Sequence, residues 1–556
     1  MKNSLCWKVR RVSALLLGAS FLLAGAALAQ VPAKTAAPVA AAAKAPLPKL
    51  VRNAQNRYEL LVDGAPYLIL GTQVNNSSAW PSQMAKVWPA IDALHANTVE
   101  MPVYWEQFEP QPGKFDTSIV DALLAQAREH KVRLVLLWFG TWKNASGHYW
   151  PEWMKTDEAK YPHLMDEKGK LVDSPSPFAP ATLQADIHAF TALMRHLKQV
   201  DAQHTVIMVQ VENEAGTWNS IRDYSPAAQK VFAEPVPESL LKGLHLEAKS
   251  GGNWQAVFGD DADEFFHAWA VAHYIEQVAV AGKAVNPLPM YANAALRDPF
   301  HPAHPANYET GGPSDNVLDL WKATAPSLDL LAPDIYLSQS ESVNKVISYY
   351  HRPDNALFVP EMGNKPEFSR YFFTILGNQG IGLSPFGLDY TGFENSPLGA
   401  CKVDSELVDT FALNYRLVGS FQSQLAQWSF EGKVYGVSEE AATHAQTLDL
   451  GTWQATVSYG LGQFGPGTNP PGNKELKGRA LIVKLDENEY LVTGAFARVD
   501  FAPKAAGRHL MFLKVEEGHF VKGVFQAERI WNGDQSDWGL NLTEVPRLLR
   551  VRLSTY

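Results

Sequence analysis

Between residues 66 and 388 short apolar runs alternate with longer amphipathic ones. The runs 67–73 (YLILGTQ), 97–103 (NTVEMPV), 132–138 (VRLVLLW), 205–211 (TVIMVQV), 288–293 (LPMYAN), 329–336 (DLLAPDIY), 356–361 (ALFVPE) and 380–386 (GIGLSPF) have the length and composition of strands. Their apolarity is nearly continuous, as strands covered on both faces require. Eight such runs, mostly separated by helix-length segments, predict a (β/α)8 barrel of the TIM type. A doubly wound open sheet is the alternative, but no glycine-rich phosphate fingerprint stands at a first strand-to-helix turn. A barrel of this kind takes about 250 residues, so this one carries insertions. The largest is expected at 215–265, with Trp218, Tyr224 and Trp254 shaping the mouth.

Residues 403–427 carry one long helical pattern, read as the last barrel helix. Beyond 428 the period changes to alternation. RALIVKL (479–485), YLVTGAFARVDF (490–501), HLMFLKVEEG (509–518) and LLRVRLSTY (548–556) are separated by turn-forming clusters such as GPGTNPPGN at 465–473. This predicts a smaller antiparallel β-sandwich. The expected division is a signal peptide at 1–29, an Ala/Pro-rich linker at 30–49, the barrel at 50–427 and a β-sandwich accessory domain at 428–556.

The signal-peptide reading rests on charge and hydropathy. Lys2, Lys8, Arg10 and Arg11 precede an apolar stretch from Val12 to Ala27, and Ala27-Leu28-Ala29 forms a small-residue cleavage site before Gln30. Export to a bacterial periplasm or exterior is expected, with no membrane association after cleavage. Cys6 leaves with the signal, so Cys401 stands alone and is expected to be a buried structural thiol; no disulfide framework is possible within one chain. A net charge of −10 argues against a nucleic-acid partner. The sixteen histidines show no ligand spacing, so no metal is expected.

Two of the apolar runs end in glutamate. VIMVQVENEAG (206–216) delivers Glu214 after Asn213, and ALFVPEMGN (356–364) delivers Glu361 after Pro360. In a barrel of this class the site lies at the C-terminal ends of the strands. The fourth and seventh strands would therefore bring two carboxylates into one cleft, the minimal equipment for hydrolysing a glycosidic bond.

VQVENEAG resembles the QxENE signature of glycoside hydrolase family 35, the β-galactosidases, within the clan of retaining (β/α)8 hydrolases. VYWEQFEPQPGKFD (103–116) resembles that clan's EPxxGxxDF stretch, and the C-terminal β domain matches the bacterial branch of the family. The resemblance implies that Glu214 is the acid/base and Glu361 the nucleophile, with no cofactor. It also implies that Tyr336 orients the nucleophile and Asn213 holds the sugar 2-OH. Tyr104, Glu106, Asn293, Trp142 and Phe386, at or after strand ends, are candidate sugar contacts. Asp334, beside Tyr336, is expected to point elsewhere by strand alternation. LWFGTWKNASGHYW (137–150) lacks the acid usual after the third strand, and Ala215 replaces the usual Tyr or Phe. The activity implied is a retaining exo-β-galactosidase acting on oligosaccharides or plant polysaccharide side chains, xyloglucan fragments among them. A β-glucosidase, β-fucosidase or α-L-arabinopyranosidase of the same clan is the alternative, then a non-catalytic carbohydrate-binding barrel. Linkage, aglycone and oligomeric state stay open.

Overall fold

The computed structural model describes residues 45–461 and 470–556. The signal-peptide segment, residues 30–44 of the linker and much of GPGTNPPGN lie outside the described residues.

Eight parallel strands close into a barrel: Ile69–Gln73, Thr98–Tyr104, Arg133–Lys143, Val206–Asn213, Met290–Ala295, Leu330–Ile335, Val359–Met362 and Gly382–Pro385. Each falls on one of the predicted runs, and the last pairs back with the first through Gly382–Ile69 and Leu383–Leu70. The fold is a (β/α)8 barrel and not an open sheet. Every residue of Val206–Asn213 is buried, which is why that run lacks alternation. Burial of each Val, Ile or Leu there contributes about 1.5–3 kcal/mol.

Helices Pro180–Val200 and Ala262–Val285 pack on each other outside the third and fourth strands. Proline at the first position of the former fits, since its missing N–H would find no partner inside the helix. The 403–427 pattern is two helices, Ser405–Val418 and Gln422–Phe430, joined by a tighter turn at Gly419–Phe421. Asp404 opens the first by accepting the Leu407 N–H.

Before the barrel, Lys49–Arg52, Tyr58–Val62 and Ala65–Tyr67 form a small antiparallel sheet, which packs against Gln422–Phe430. The insertion after the fourth strand contains three short helices, Pro226–Ala233, Glu238–Gly243 and Trp254–Phe258. Trp254 does not shape the mouth. It is 1% exposed and packs among Phe258, Phe266 and Trp269, because an indole of that size gains most where rings surround it. Tyr224 lies under the Arg222 guanidinium at 3.9 Å; Trp218 remains exposed. Cys401, expected inside, is exposed, in the stretch that follows the last barrel strand.

The C-terminal region holds a six-stranded and a four-stranded antiparallel sheet. The run 490–501 supplies one strand to each: Glu489–Ala495 to the larger, Ala497–Pro503 to the smaller. The chain turns between them at Phe496, which has φ +53. Ala480, Ile482, Tyr490 and Val492 face the inter-sheet core. Their neighbours Leu481, Val483 and Leu491 face the other way and join the hydrophobic cluster of the barrel. At the same contact helix Tyr371–Gly377 meets strand Val434–Ser438 backbone to backbone. A Cβ on Gly377 would stand 2.2 Å from the Gly436 carbonyl oxygen, so both positions need glycine. Among the described residues no helix is long and apolar enough to cross a membrane.

Candidate active site

Glu214 and Glu361 meet at the C-terminal mouth of the barrel, and a third acid, Asp334, joins them. One carboxyl oxygen from each lies within 4.8 Å of the other two, and all three residues are buried. Asp334 is opposite Glu361 in the pairing of the sixth and seventh strands. Contrary to expectation, it points into the site. Residues two apart on a strand share a face, so Asp334 and Tyr336 turn to the same side.

Three donors converge on Glu361. Gln73 Nε2, from the first strand, donates to Oε1 at 2.8 Å, and Asn213 Nδ2 to the same oxygen at 3.3 Å. The Tyr336 hydroxyl donates to Oε2 at 2.8 Å. Both oxygens therefore act as acceptors, and the carboxylate is held without donating a proton.

Glu214 is arranged differently. Its backbone N–H donates to Asn293 Oδ1 at 3.0 Å, and its Oε2 is 3.9 Å from Lys143 Nζ. Burial, with a contribution from the Glu361 charge, raises its pKa to about 7 against the opposing pull of Lys143. Lys143 also donates to Asn213 Oδ1 at 2.7 Å, which aims the Asn213 amide nitrogen at Glu361. The strand end is bent: Glu212 and Glu214 have φ +65 and +44. Such conformations cost a non-glycine residue of order 1–3 kcal/mol. The bend sends Glu212 outward, where its Oε2 accepts the Trp142 N–H at 2.6 Å, and leaves Glu214 at the cleft.

The other predicted contacts divide. Asn293 is in the site, and Phe386 stands edge-on to Tyr336 at 6.4 Å between ring centres. Trp142 is fully buried and edge-on to Tyr274 of an outer helix; the next residue, Lys143, is the one that reaches the glutamates. Tyr104 accepts the Ala79 N–H and stacks on Tyr149. Glu106 pairs with Lys155 near the surface. Neither bonds to Glu214 or Glu361.

Sequence reasoning did not single out Gln73, Lys143 or Glu309. Glu309 is 7% exposed and follows the fifth strand. The paired backbones of Thr217 and Thr310 bring its loop beside the one after Glu214. Its Oε1 accepts Trp218 Nε1 at 2.7 Å. Burial, then the Glu214 charge, pushes its carboxyl well above the usual range.

An acid whose pKa is raised to about 7 thus faces a carboxyl held by three donors, with an oxygen of one within 4.8 Å of an oxygen of the other. Carboxyl groups about 5–5.5 Å apart belong to double displacement, and wider pairs of about 6.5–9.5 Å to direct attack by water.

Comparison with known proteins finds similarity to β-galactosidases over part of the chain. The family model of glycoside hydrolase family 42, described as β-galactosidase, matches residues 76–280, which include the strand ending at Asn213 and Glu214. VQVENEAG leads to family 35; the matching model is that of family 42. A domain of unknown function, DUF5597, matches residues 411–543. A β-galactosidase of Xanthomonas manihotis is 29% identical over 164 residues, 28% of this chain and 25% of that protein. The chain spans only about a quarter of that relative's length. Solved structures with similarity include β-galactosidases of Bacillus circulans sp. alkalophilus (TM-score 0.44, 13% identity, 63% of this chain and 56% of that one) and of Marinomonas ef1 (0.46, 12%, 65% and 61%). An exo-β-1,4-mannosidase of Opitutaceae bacterium strain TAV5 has TM-score 0.37 at 15% identity, over 60% of this chain and 54% of that one.

Proposed function

We propose that this protein is a retaining exo-β-galactosidase. The observation that carries the reading is the pair Glu214 and Glu361, with oxygens within 4.8 Å and different surroundings: Glu361 accepts from three donors, and Glu214 is buried beside Lys143 with its pKa raised to about 7. Glu361 attacks the anomeric carbon as the bond to the leaving oxygen breaks, and Glu214 gives that oxygen its proton. The product is a glycosyl ester on Glu361. Water then attacks the same carbon, Glu214 takes the water's proton, and the ester bond breaks to restore Glu361. Formation of the ester removes the Glu361 charge, so Glu214 becomes a stronger acid just when it must act as a base. The chemistry needs no metal or organic cofactor.

The β-galactosidase match over 76–280 supports galactose as the sugar. VQVENEAG supports placement in family 35, and terminal β-galactose on oligosaccharides or plant polysaccharide side chains, xyloglucan fragments included, is the substrate class we assign. Residues 2–29 support export to a periplasm or exterior.

The test is hydrolysis of aryl β-galactoside, β-glucoside, β-fucoside and α-L-arabinopyranoside, with the anomer of the first-formed sugar followed by NMR. Preference for the galactoside with retained β configuration is the expected result. Preference for another sugar discards the galactose assignment. Inverted product or silence across the panel overturns the reading.

A further inference from the structure

Double displacement uses two carboxyls, and the cluster at the barrel mouth contains a third, level with Glu361 in the strand pairing. Asp334 Oδ2 accepts the Asn293 amide nitrogen at 2.5 Å, and the same Asn293 accepts the Glu214 N–H. One side chain thus ties Asp334 to the backbone of the acid/base residue. Asp334 Oδ1 is buried and accepts from no donor among the described residues. The groups facing Asp334 are Glu214 on the fourth strand, Tyr291 and Asn293 on the fifth, Tyr336 just beyond its own and Glu361 on the seventh, with Lys143 on the third beside Glu214. Glu309 lies next to Glu214. Several carboxyls out of water against one ammonium cannot all be ionised. Glu361 is held by three donors and Glu214 has Lys143, whereas Asp334 receives one amide and no cation of its own.

Resting on the galactosidase reading, we infer that Asp334 is a positioning residue: it stays neutral through the cycle and donates a hydrogen bond to the Glu214 carboxylate. The bond matters most in the second half-reaction, when Glu214 has given up its proton and must be held towards the incoming water. No proton leaves Asp334, so the balance of both steps is unchanged. Burial of Asp334, reinforced by the charges of Glu361 and Glu214, favours the neutral form, and a hydrogen bond between Asp334 and Glu214 acts on both carboxyls.

The test compares Asp334→Asn and Asp334→Ala with wild type in the full chain. Asparagine reproduces the neutral acid: its oxygen can accept from Asn293 and its nitrogen can donate to Glu214. Asp334→Asn is expected to keep kcat on an activated aryl β-galactoside within a few fold, with the basic limb of its pH profile still at about 7. Asp334→Ala is expected to lose about 10- to 100-fold in kcat, the worth of a hydrogen bond to a charged group. It should also accumulate glycosyl-enzyme visible by intact mass.

If Asp334→Asn is as inactive as Glu361→Gln, or if Asp334→Ala is unimpaired, the inference is overturned. A basic limb displaced downward in Asp334→Asn also overturns it, since only an ionised Asp334 could have been raising Glu214. Should Asp334→Ala not fold, the Asn variant's rate and pH profile decide alone. Failure of the underlying reading is separate, because it appears as an inactive wild type.

Discussion

Asn293 grips Glu214 by its backbone: the amide oxygen of Asn293 accepts the Glu214 N–H at 3.0 Å, at the one strand end where Glu214 is bent to φ +44. The side chain of the proposed acid is thereby aimed from the main chain. Asn293→Ala should lower kcat about 10- to 100-fold, as expected for loss of a buried hydrogen bond that orients the reacting group. The loss should be largest for substrates with poor leaving groups. A plot of rate against leaving-group pKa, steeper in the variant than in wild type, is the measurement.

Glu361 should be indispensable. Glu361→Gln is expected to cut turnover by about four orders of magnitude or more without loss of fold. Glu214→Ala should spare activated aryl substrates in the first step and stall the second. Added azide, which needs no general base, should restore part of their turnover and yield a β-glycosyl azide detectable by mass spectrometry.

The pH dependence has a defined sign. Glu214 must carry its proton in the free enzyme, and its pKa lies at about 7. kcat/KM should therefore fall as pH rises through about 7. Lys143 favours the charged form of Glu214, so Lys143→Met should move that limb upward. The variant should also weaken Asn213, whose amide it no longer holds. A pH profile of kcat/KM for the two proteins checks the direction.

Tyr336→Phe removes the hydroxyl that donates to Glu361 Oε2. A bond to a charged acceptor is worth about 1.5–3 kcal/mol, so a 10- to 100-fold loss in kcat/KM is expected. The ring still packs edge-on against Phe386, and the melting temperature should hardly change.

Gly377→Ala probes stability instead. The new methyl would meet the Gly436 carbonyl oxygen at 2.2 Å, a distance that forces helix and strand apart. A loss of about 3 kcal/mol is expected, in the range of overpacking defects. It would be read as a lower midpoint in thermal unfolding, while kcat at low temperature stays close to wild type.

The barrel was legible because its strands are buried on both faces. Continuous apolar runs such as TVIMVQV leave few other readings. The sheet at 49–67 was not, since its strands are three to five residues long and partly exposed. Glu214 and Glu361 stood out as acids at the ends of apolar runs. Gln73 did not: its partner is 288 positions away, and no local pattern marks a glutamine that will meet a carboxylate across a barrel. Lys143 closes an apolar strand and reads like any lysine reaching for solvent. Only the closed fold shows that its amine turns inward to Asn213 and Glu214. Asp334 was within reach, because its parity with Tyr336 already placed both on one face. Trp254 shows the opposite error, an aromatic in an insertion that serves packing.

Leu481, Val483 and Leu491 alternate with residues of the sandwich interior yet belong to the barrel's own cluster. The six-stranded sheet is thus a wall shared by two rooms. Excision of the chain after 430 would leave the barrel with an uncovered greasy flank and an unpaired helix Tyr371–Gly377. A barrel grafted onto a foreign module would need the same imprint on the newcomer. Barrel and covering sheet therefore move together or not at all.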